Sequence, residues 1–323
     1  MNPNPLVSIL INNYNYDKFL SDAIDSALNQ TYLRTEVIVV DDGSTDSSRD
    51  VIQSYGDRVI AVFKENGGQA SALNAGFAAS KGEIILLLDA DDLFLPNKTS
   101  EVVRLFELQP AIDWVFTESA PVELKDLAES DLQSVIQSIL NSSFQDAPRK
   151  VDFRSKFKNA ELPNFTPSTS NLCFSRSFLE NLFPLPEVKG SSGLAICDTY
   201  LNLLAAGLGT GYVTKRNLGI FRVHAENRYS TQEIYKKRSI SGEILITTAY
   251  WMYANFPEFR KMSRKLLSKG LGRYSTGSDR NKDCEKLARD YLAQSSFFER
   301  AEIRLATLYC SLKLRSEDWL KKA

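Results

Sequence analysis

The sequence predicts an α/β fold: a Rossmann-like, mostly parallel sheet with helices on both faces, followed by a helical appendage at the C-terminal end. Three observations carry this reading. Short apolar runs alternate with amphipathic segments through the first third of the chain, which is the pattern of a parallel sheet covered on both sides. The run from Ile84 to Leu88 is apolar at every position, as a central strand buried on both faces must be. From Thr231 onward apolar residues recur at helical spacing without strand-like alternation, and this marks the appendage.

The elements follow in order. Val7 to Ile11 is the first strand, Asn12 to Tyr16 a polar turn, and Leu20, Ala23, Ile24, Ala27 and Leu28 form one apolar stripe of a helix that Asp17 is expected to cap. Glu36 to Val40 is the second strand and ends in an acidic turn, Asp41 to Asp46, where Ser44 or Thr45 is expected to cap the next helix. Val59 to Phe63 is a third strand, Asn66-Gly67-Gly68 a flexible turn, and Leu73, Gly76, Phe77 and Ser80 the inner side of a third helix. The fourth strand runs straight into Asp89-Ala90-Asp91-Asp92, after which Pro96 opens another helix. Beyond these the pattern loosens. It predicts a strand near Trp114 to Thr117, a helix from Leu124 to Leu140 and a polar loop from Asn141 to Pro167. A short strand at Cys173 to Ser175, a helix over Asp198 to Ala206, and a hairpin or edge pair from Tyr212 to Val223 leading into His224 follow. In open α/β sheets ligands bind beyond the carboxyl ends of the strands, so the turns after strands one, two and four are expected to converge on one site.

Composition narrows the function. With 43% hydrophobic and 24% charged residues and a formal charge of −1, the chain has no nucleic-acid signature. Cys173, Cys197, Cys284 and Cys310 are far apart and show neither zinc-ligand spacing nor a disulfide framework, which fits a reducing compartment. No stretch of about 18 apolar residues and no signal-like N-terminus occurs, so a cytoplasmic protein is expected.

Two constellations carry chemistry. Asp89 and Asp91 flank Ala90 at the end of a buried strand; two carboxylates so spaced can hold a hard divalent cation, Mg2+ or Mn2+, leaving positions for the oxygens of a diphosphate, and small Ala90 lets the ligand approach. Acidic residues also end strands and cap helices routinely. In the second, the pair Asp41-Asp42 exceeds what a cap requires. A carboxylate there can accept hydrogen bonds from the ring N–H of a base, with Tyr14 stacking beside it.

These pieces resemble the family 2 glycosyltransferases, whose fold is called GT-A. The matching segments are Val7-Ser8-Ile9 with Asn12 to Asn15, Ser26 to Thr31, Val39 to Asp46, Asn66-Gly67-Gly68 with Leu73 to Gly76, and Gly82-Glu83-Ile84 with Leu88 to Asp92. The agreement weakens through the insertion and resumes at Cys197-Asp198 and Phe221 to Asn227. The resemblance implies a transferase domain over 1–230, with a nucleotide-binding half to 110 and an acceptor-binding half from 111, and an appendage over 231–323. It implies a nucleotide-diphosphate sugar donor, UDP by default, and a sugar or lipid-linked acceptor. The activity implied is single-sugar transfer with inversion, in cell-surface polysaccharide or glycoconjugate synthesis. On the donor side, Asn12 and Tyr14 match positions lining the uridine pocket, Asp42 the carboxylate on the base, Gly68 the third turn, and Asp89 with Ala90 the ribose and metal region. Asp91 matches the metal ligand, His224 a further group on the metal or diphosphate, and Asp198 the general base. The simpler role of Asp198 is a helix cap, and a lone histidine at a strand end is often structural.

Two departures stand out. Leu73 precedes Asn74 where many relatives carry an arginine, so a phosphate contact must come from elsewhere; Arg222 and Lys64 are both candidates. The Gln-x-x-Arg-Trp segment of processive synthases is absent, which favours single transfers. Among rival readings, a nucleotidyltransferase would need a glycine- and cation-bearing first turn, and a binding scaffold without catalysis would not need both Asp91 and Asp198. A glycoside hydrolase would not need the nucleotide turns. The basic segment Arg260 to Arg273 is either a solvated helix face packed on its neighbour, the simpler choice, or a peripheral contact with an anionic membrane surface.

Overall fold

The computed structural model describes residues 4–109, 111–129, 131–142, 147–187, 197–227 and 231–322. The chain opens with β1 (Val7–Asn13), α1 (Asp17–Leu28), β2 (Thr35–Asp41), α2 (Ser48–Ser54), β3 (Ile60–Phe63), α3 (Gln69–Ala79) and β4 (Ile84–Asp89). There follow β5 (Leu93–Phe94), α4 (Lys98–Leu108), β6 (Trp114–Glu123), α5 (Leu124–Glu129) and α6 (Leu132–Ser142). Next come β7 (Arg149–Asp152), α7 (Arg154–Lys158), β8 (Leu172–Ser175), α8 (Arg176–Leu179), α9 (Cys197–Leu208) and β9 (Thr210–Val223). The chain closes with α10 (Ile234–Asn255), α11 (Arg260–Ser275), α12 (Lys282–Gln294) and α13 (Phe297–Lys322). These elements group into two compact units: Met1–Phe153, Phe165–Glu187 and Leu204–His224 in the first, and Arg154–Asn164, Val188–Leu203 and Ala225–Ala323 in the second.

In the first unit the strands are ordered β3-β2-β1-β4-β8-β6-β9-β5, with β7 also paired to β9. The ladders β1–β2, β1–β4, β2–β3 and β6–β9 are parallel, while the antiparallel ladders are short. Alternation along the central strands divides their side chains between two covers. Ile9, Ile11, Val37, Val39, Leu86 and Leu88 join Leu20, Ile24, Ile52 and Phe106 in one core, so α1, α2 and α4 lie on that face. On the other face, Leu10 and Val40 lie under α3, where Gly76 approaches them closely. Burying both faces removes the constraint that one set of side chains be polar, which is why these strands read as unbroken apolar runs.

Several local expectations are revised. Tyr16 rather than Asp17 precedes the first helical turn, and the Asp17 carboxylate accepts from Ser47 N–H in the neighbouring turn. The helix α2 begins at Ser48, whose N–H is taken by Asp46 Oδ1 at 3.0 Å, not by Ser44 or Thr45. Tyr212 to Val223 is one long strand rather than a hairpin: β9 bridges β6, β7 and β5. The expected helix from Leu124 to Leu140 is two, α5 and α6. The expected loop contains β7 and α7; the short β7 carries only Val151 as an apolar residue, so its extended state comes from pairing with β9 and left no periodic signal.

The second unit is helical. Met262, Leu266 and Leu267 of α11 are buried, and Gly270 lies so close to Ile246 of α10 that a Cβ would meet Ile246 N at 2.9 Å. Thus the apolar face of α11 is packed on its neighbour, and its cations lie outside that contact. Phe157 and Phe259 meet edge to face at 4.8 Å. No helix among the described residues is long and apolar enough to cross a membrane, and all four cysteines are free.

Leu86 is fully buried and Leu33 is 91% exposed. Leu86→Ala is therefore expected to destabilise the protein by about 2–5 kcal/mol in a urea titration, and Leu33→Ala by less than about 0.5 kcal/mol.

Candidate active site

The sheet topology locates the site. The chain winds from β1 outward through β2 to β3, then returns to place β4 on the opposite side of β1. A ligand crevice is expected at such a switch point, beyond the carboxyl ends of the strands. Parallel register there sets Asn12 opposite Asp89 and Asn13 opposite Asp41. Asn12 Nδ2 donates to Asp89 Oδ1 at 3.1 Å and Asn13 Nδ2 to Asp41 Oδ1 at 3.1 Å. Further bonds lace the first two turns: Ser44 Oγ accepts from Asn15 N–H at 2.9 Å, and Asn15 Oδ1 from Thr45 N–H at 2.7 Å. Tyr14 is half-buried in the first of these turns.

Asp42 organises the third turn. Its carboxylate is buried and accepts from Gly68 N–H at 2.7 Å, Gly67 N–H at 3.0 Å and Lys64 Nζ at 2.6 Å. A contact between Asp42 and a base would share oxygens with these three donors. Lys64 is thereby engaged by Asp42 and by the Glu65 carbonyl. The acidic turn after β2 demands glycine where it meets the third turn: Gly43 has φ +76°, and a Cβ there would stand 2.7 Å from Asn66 N.

The acidic cluster lies at the end of β4. Asp89, Asp91 and Asp92 each offer a carboxylate oxygen within 4.8 Å of the others. Asp89 also accepts from Gln69 Nε2 at 2.8 Å. His224 places Nε2 3.2 Å from Asp91 Oδ2, and its ring packs 4.5 Å from that of Phe19. Asp92 is committed to the fold: its oxygens accept from Ser170 Oγ at 2.6 Å and Arg222 N–H at 3.3 Å. Burial, and then the charges of Asp91 and Asp89, push its carboxyl well above the usual carboxylate range. Ala90 is buried in the core cluster, so its contribution is the backbone step that separates Asp89 from Asp91. The hard carboxylate oxygens of Asp89, Asp91 and Asp92 are of the kind that a divalent cation such as Mg2+ or Mn2+ takes, and His224 reaches Asp91 beside them.

Arg222, Lys98 and Ser170 hold this site in ways that the sequence did not show. Arg222 is only 2% exposed. It donates through Nε to the Asp91 carbonyl, to Asp22 Oδ2 at 2.7 Å and to the Phe19 carbonyl at 2.9 Å. Its guanidinium is spent on positioning Asp91 and α1, and burial lowers its pKa. Lys98 is fully buried beneath the cluster, donating to the Ser170 carbonyl at 2.6 Å and Thr117 Oγ1 at 3.1 Å. Desolvation lowers its ammonium to about 8. Ser170 in turn accepts from Asp89 N–H at 3.1 Å. No motif points to Lys98 or Ser170; only tertiary contact gives them partners.

Asp198 lies in the first turn of α9, in the second unit. Its Oδ1 accepts from the N–H and hydroxyl of Thr199. Burial raises its carboxyl to about 6, against the lowering influence of those bonds.

Residues 8–182 match the model of glycosyl transferase family 2. An uncharacterized glycosyltransferase of Nostoc sp. (strain PCC 7120) is 34% identical over 227 residues, covering 69% of this chain and 66% of the relative, so the chain spans just under two thirds of that relative's length. Among solved structures, S. aureus TarS 1-349 in complex with UDP-GlcNAc superposes with TM-score 0.56 at 17% identity, over 93% of this chain and 79% of that one. The mannosyltransferase PcManGT of Pyrobaculum calidifontis, in complex with GDP-Man and Mn2+, gives TM-score 0.52 at 17% identity, over 97% and 87%. The fold is that of the GT-A glycosyltransferases.

Arg222→Met is expected to cost about 2–4 kcal/mol in a denaturation titration, because the Phe19 and Asp91 carbonyls lose their charged donor. Asp198 yields a pH signature. Its carboxyl holds a proton more tightly folded, at about 6, than at its ordinary value of 3.8, so the stability linked to it is greatest at low pH and is lost as pH rises toward 6. In calorimetry Asp198→Asn is expected to melt above the parent protein at pH 7.5, with the gap closing near pH 4.

Proposed function

The chain belongs to glycosyl transferase family 2, and on that footing we propose that it is an inverting enzyme that moves one sugar from a nucleotide-diphosphate donor to an acceptor hydroxyl. What supports this reading is the Asn12–Asp89 bond between the ends of β1 and β4 and the His224–Asp91 contact after β9, with Asp42 in the turn that follows β2. The solved neighbours hold UDP-GlcNAc in one case and GDP-Man with Mn2+ in the other, which supports a nucleotide-sugar donor. UDP is the default nucleotide in this reading, and cell-surface polysaccharide or glycoconjugate synthesis the role.

In this reading Asn12 and Tyr14 line the base pocket, Asp42 and Gly68 shape its far wall, and Asp89, Asp91 and His224 would hold the divalent cation. The cation, when bound, offsets charge on the departing diphosphate. Asp198 takes the proton from the acceptor hydroxyl as that oxygen attacks the anomeric carbon. A carboxyl raised to about 6 is matched to such work near neutral pH. The acceptor is a sugar, free or lipid-linked.

A thermal-shift panel of nucleotide sugars tests the donor: a UDP-sugar with Mn2+ is expected to raise the melting temperature, because a ligand stabilises the state it binds. The increment should vanish with chelator and in Asp91→Asn. Asp198→Asn should keep that increment and lose roughly 10² to 10⁴ in transfer rate. In the parent enzyme the rate should fall as pH drops below about 6 and Asp198 is protonated. Equal melting with and without every donor sinks the proposal, and undiminished turnover by Asp198→Asn removes that residue from it.

A further inference from the structure

The helical unit contains a groove of about 690 Å³ between α11 and α13. One wall is a ladder of cations: Lys261, Lys265, Lys269 and Arg273 recur every fourth residue along α11, and such residues lie above one another on a helix face. Like charges at that spacing repel and weaken a helix, yet α11 carries no acidic residue at all. Lys313 adds a cation from α13. Two acids also line the groove: Glu302 lies 3.7 Å from Arg264, another of its cations, and the charge of Glu317 is felt at Arg238, which pairs with Asp318.

Lys269, Arg273 and Lys313 take part in none of the ion pairs among the described residues. Lys269 and Arg273 are half-buried. The Lys269 ammonium is lowered first by burial and then by Lys265, Arg273 and Lys313 around it. Packing does not require this, because the apolar residues Met262, Leu266 and Leu267 already seat α11. The two helices touch beside the groove, where a Cβ on Gly272 would fall 2.6 Å from Cys310 Cβ, and of the ladder's lysines Lys265 also donates to the Ala160 carbonyl, a groove residue, at 2.7 Å.

We propose that the α11–α13 groove binds an oligophosphate group through Lys265, Lys269, Arg273 and Lys313. Successive cations rise by about 6 Å along the helix, which suits several linked charges better than a single anion. Arg273 supplies a planar fork matched to phosphate oxygens, and the lysines supply point charges. A bound oligoanion relieves the repulsion along α11 and the exposure of Lys269 to like charge at once. The site is separate from the transferase reading and does not rest on it.

The test uses the full chain in EDTA, with inorganic tripolyphosphate as the probe and calorimetry and thermal shift as the readouts. Tripolyphosphate is expected to bind and to raise the melting temperature, with affinity weakening at least about tenfold as NaCl rises from about 50 to 300 mM. The double variant Lys269→Gln/Lys313→Gln is expected to bind at least about tenfold more weakly while melting no lower than the parent, since it removes repulsion and no apolar contact. A second arm uses phosphatidylcholine vesicles doped with a phosphatidylinositol bisphosphate, whose headgroup carries several phosphates. Sedimentation with these vesicles, reversed by tripolyphosphate and lost in the variant, assigns the phosphates to lipid headgroups; binding of tripolyphosphate alone assigns them to a soluble ligand. Binding of neither probe, or equal binding by the variant, overturns the proposal.

Discussion

Parallel pairing of β1 with both β2 and β4 is the constraint from which the first unit follows. Strands that run the same way end at the same edge, and the backbone ladder leaves little freedom in register once both faces are buried. With Asn12 opposite Asp89 and Asn13 opposite Asp41, turns separated by dozens of residues meet, and their side chains form hydrogen bonds that no local segment could supply. The polar edge of the sheet is therefore a product of the apolar core beneath it. Ile9, Leu86 and Val39 determine where the carboxylates stand.

Charge is compensated in layers at this edge. Asp42 is met by Lys64 and two backbone N–H groups, and Asp92 by Ser170 and the Arg222 backbone. Lys98 lies beneath, a cation held in the core by a carbonyl and a hydroxyl. Leaving any of these groups buried without a partner would cost more than the bond itself contributes. The layer below thus holds Asp89 and Asp91 in place, while Asp92, although adjacent in sequence, is retained by the fold. The neighbouring acids have different tasks because the turn after β4 brings Asp91 to His224 and Asp92 to Ser170.

Arg222 illustrates how position alters a role that residue type suggests. A cation missing from the position of Leu73 invites a search for a replacement, and Arg222 is an attractive candidate by sequence. Its guanidinium instead bridges Asp22, the Phe19 carbonyl and the Asp91 carbonyl, tying α1 to the acidic turn. The fork geometry that suits arginine to phosphate suits it equally to several oxygens of its own chain.

Much of the first unit was legible because its signals are local or periodic. Apolar runs identified the parallel strands, and acidic and asparagine-rich turns identified what they present. Val7 to Asp92 could be read almost residue by residue for these reasons. Caps were less legible, since Asp17, Ser44 and Asp46 all favour turns and only their spatial neighbours decide which carboxylate meets which N–H. The stretch from Asn141 to Pro167 concealed β7, whose four residues become a strand only because β9 offers an unpaired edge. What the amino-acid sequence determined by itself was the class of fold and the chemistry displayed at the strand ends, since both follow from patterns within a few residues. The partners of Lys98, Ser170, Asp92 and Arg222 were decided by tertiary structure alone, because a buried polar group takes whichever partner packing brings within reach, and packing is a property of the whole chain.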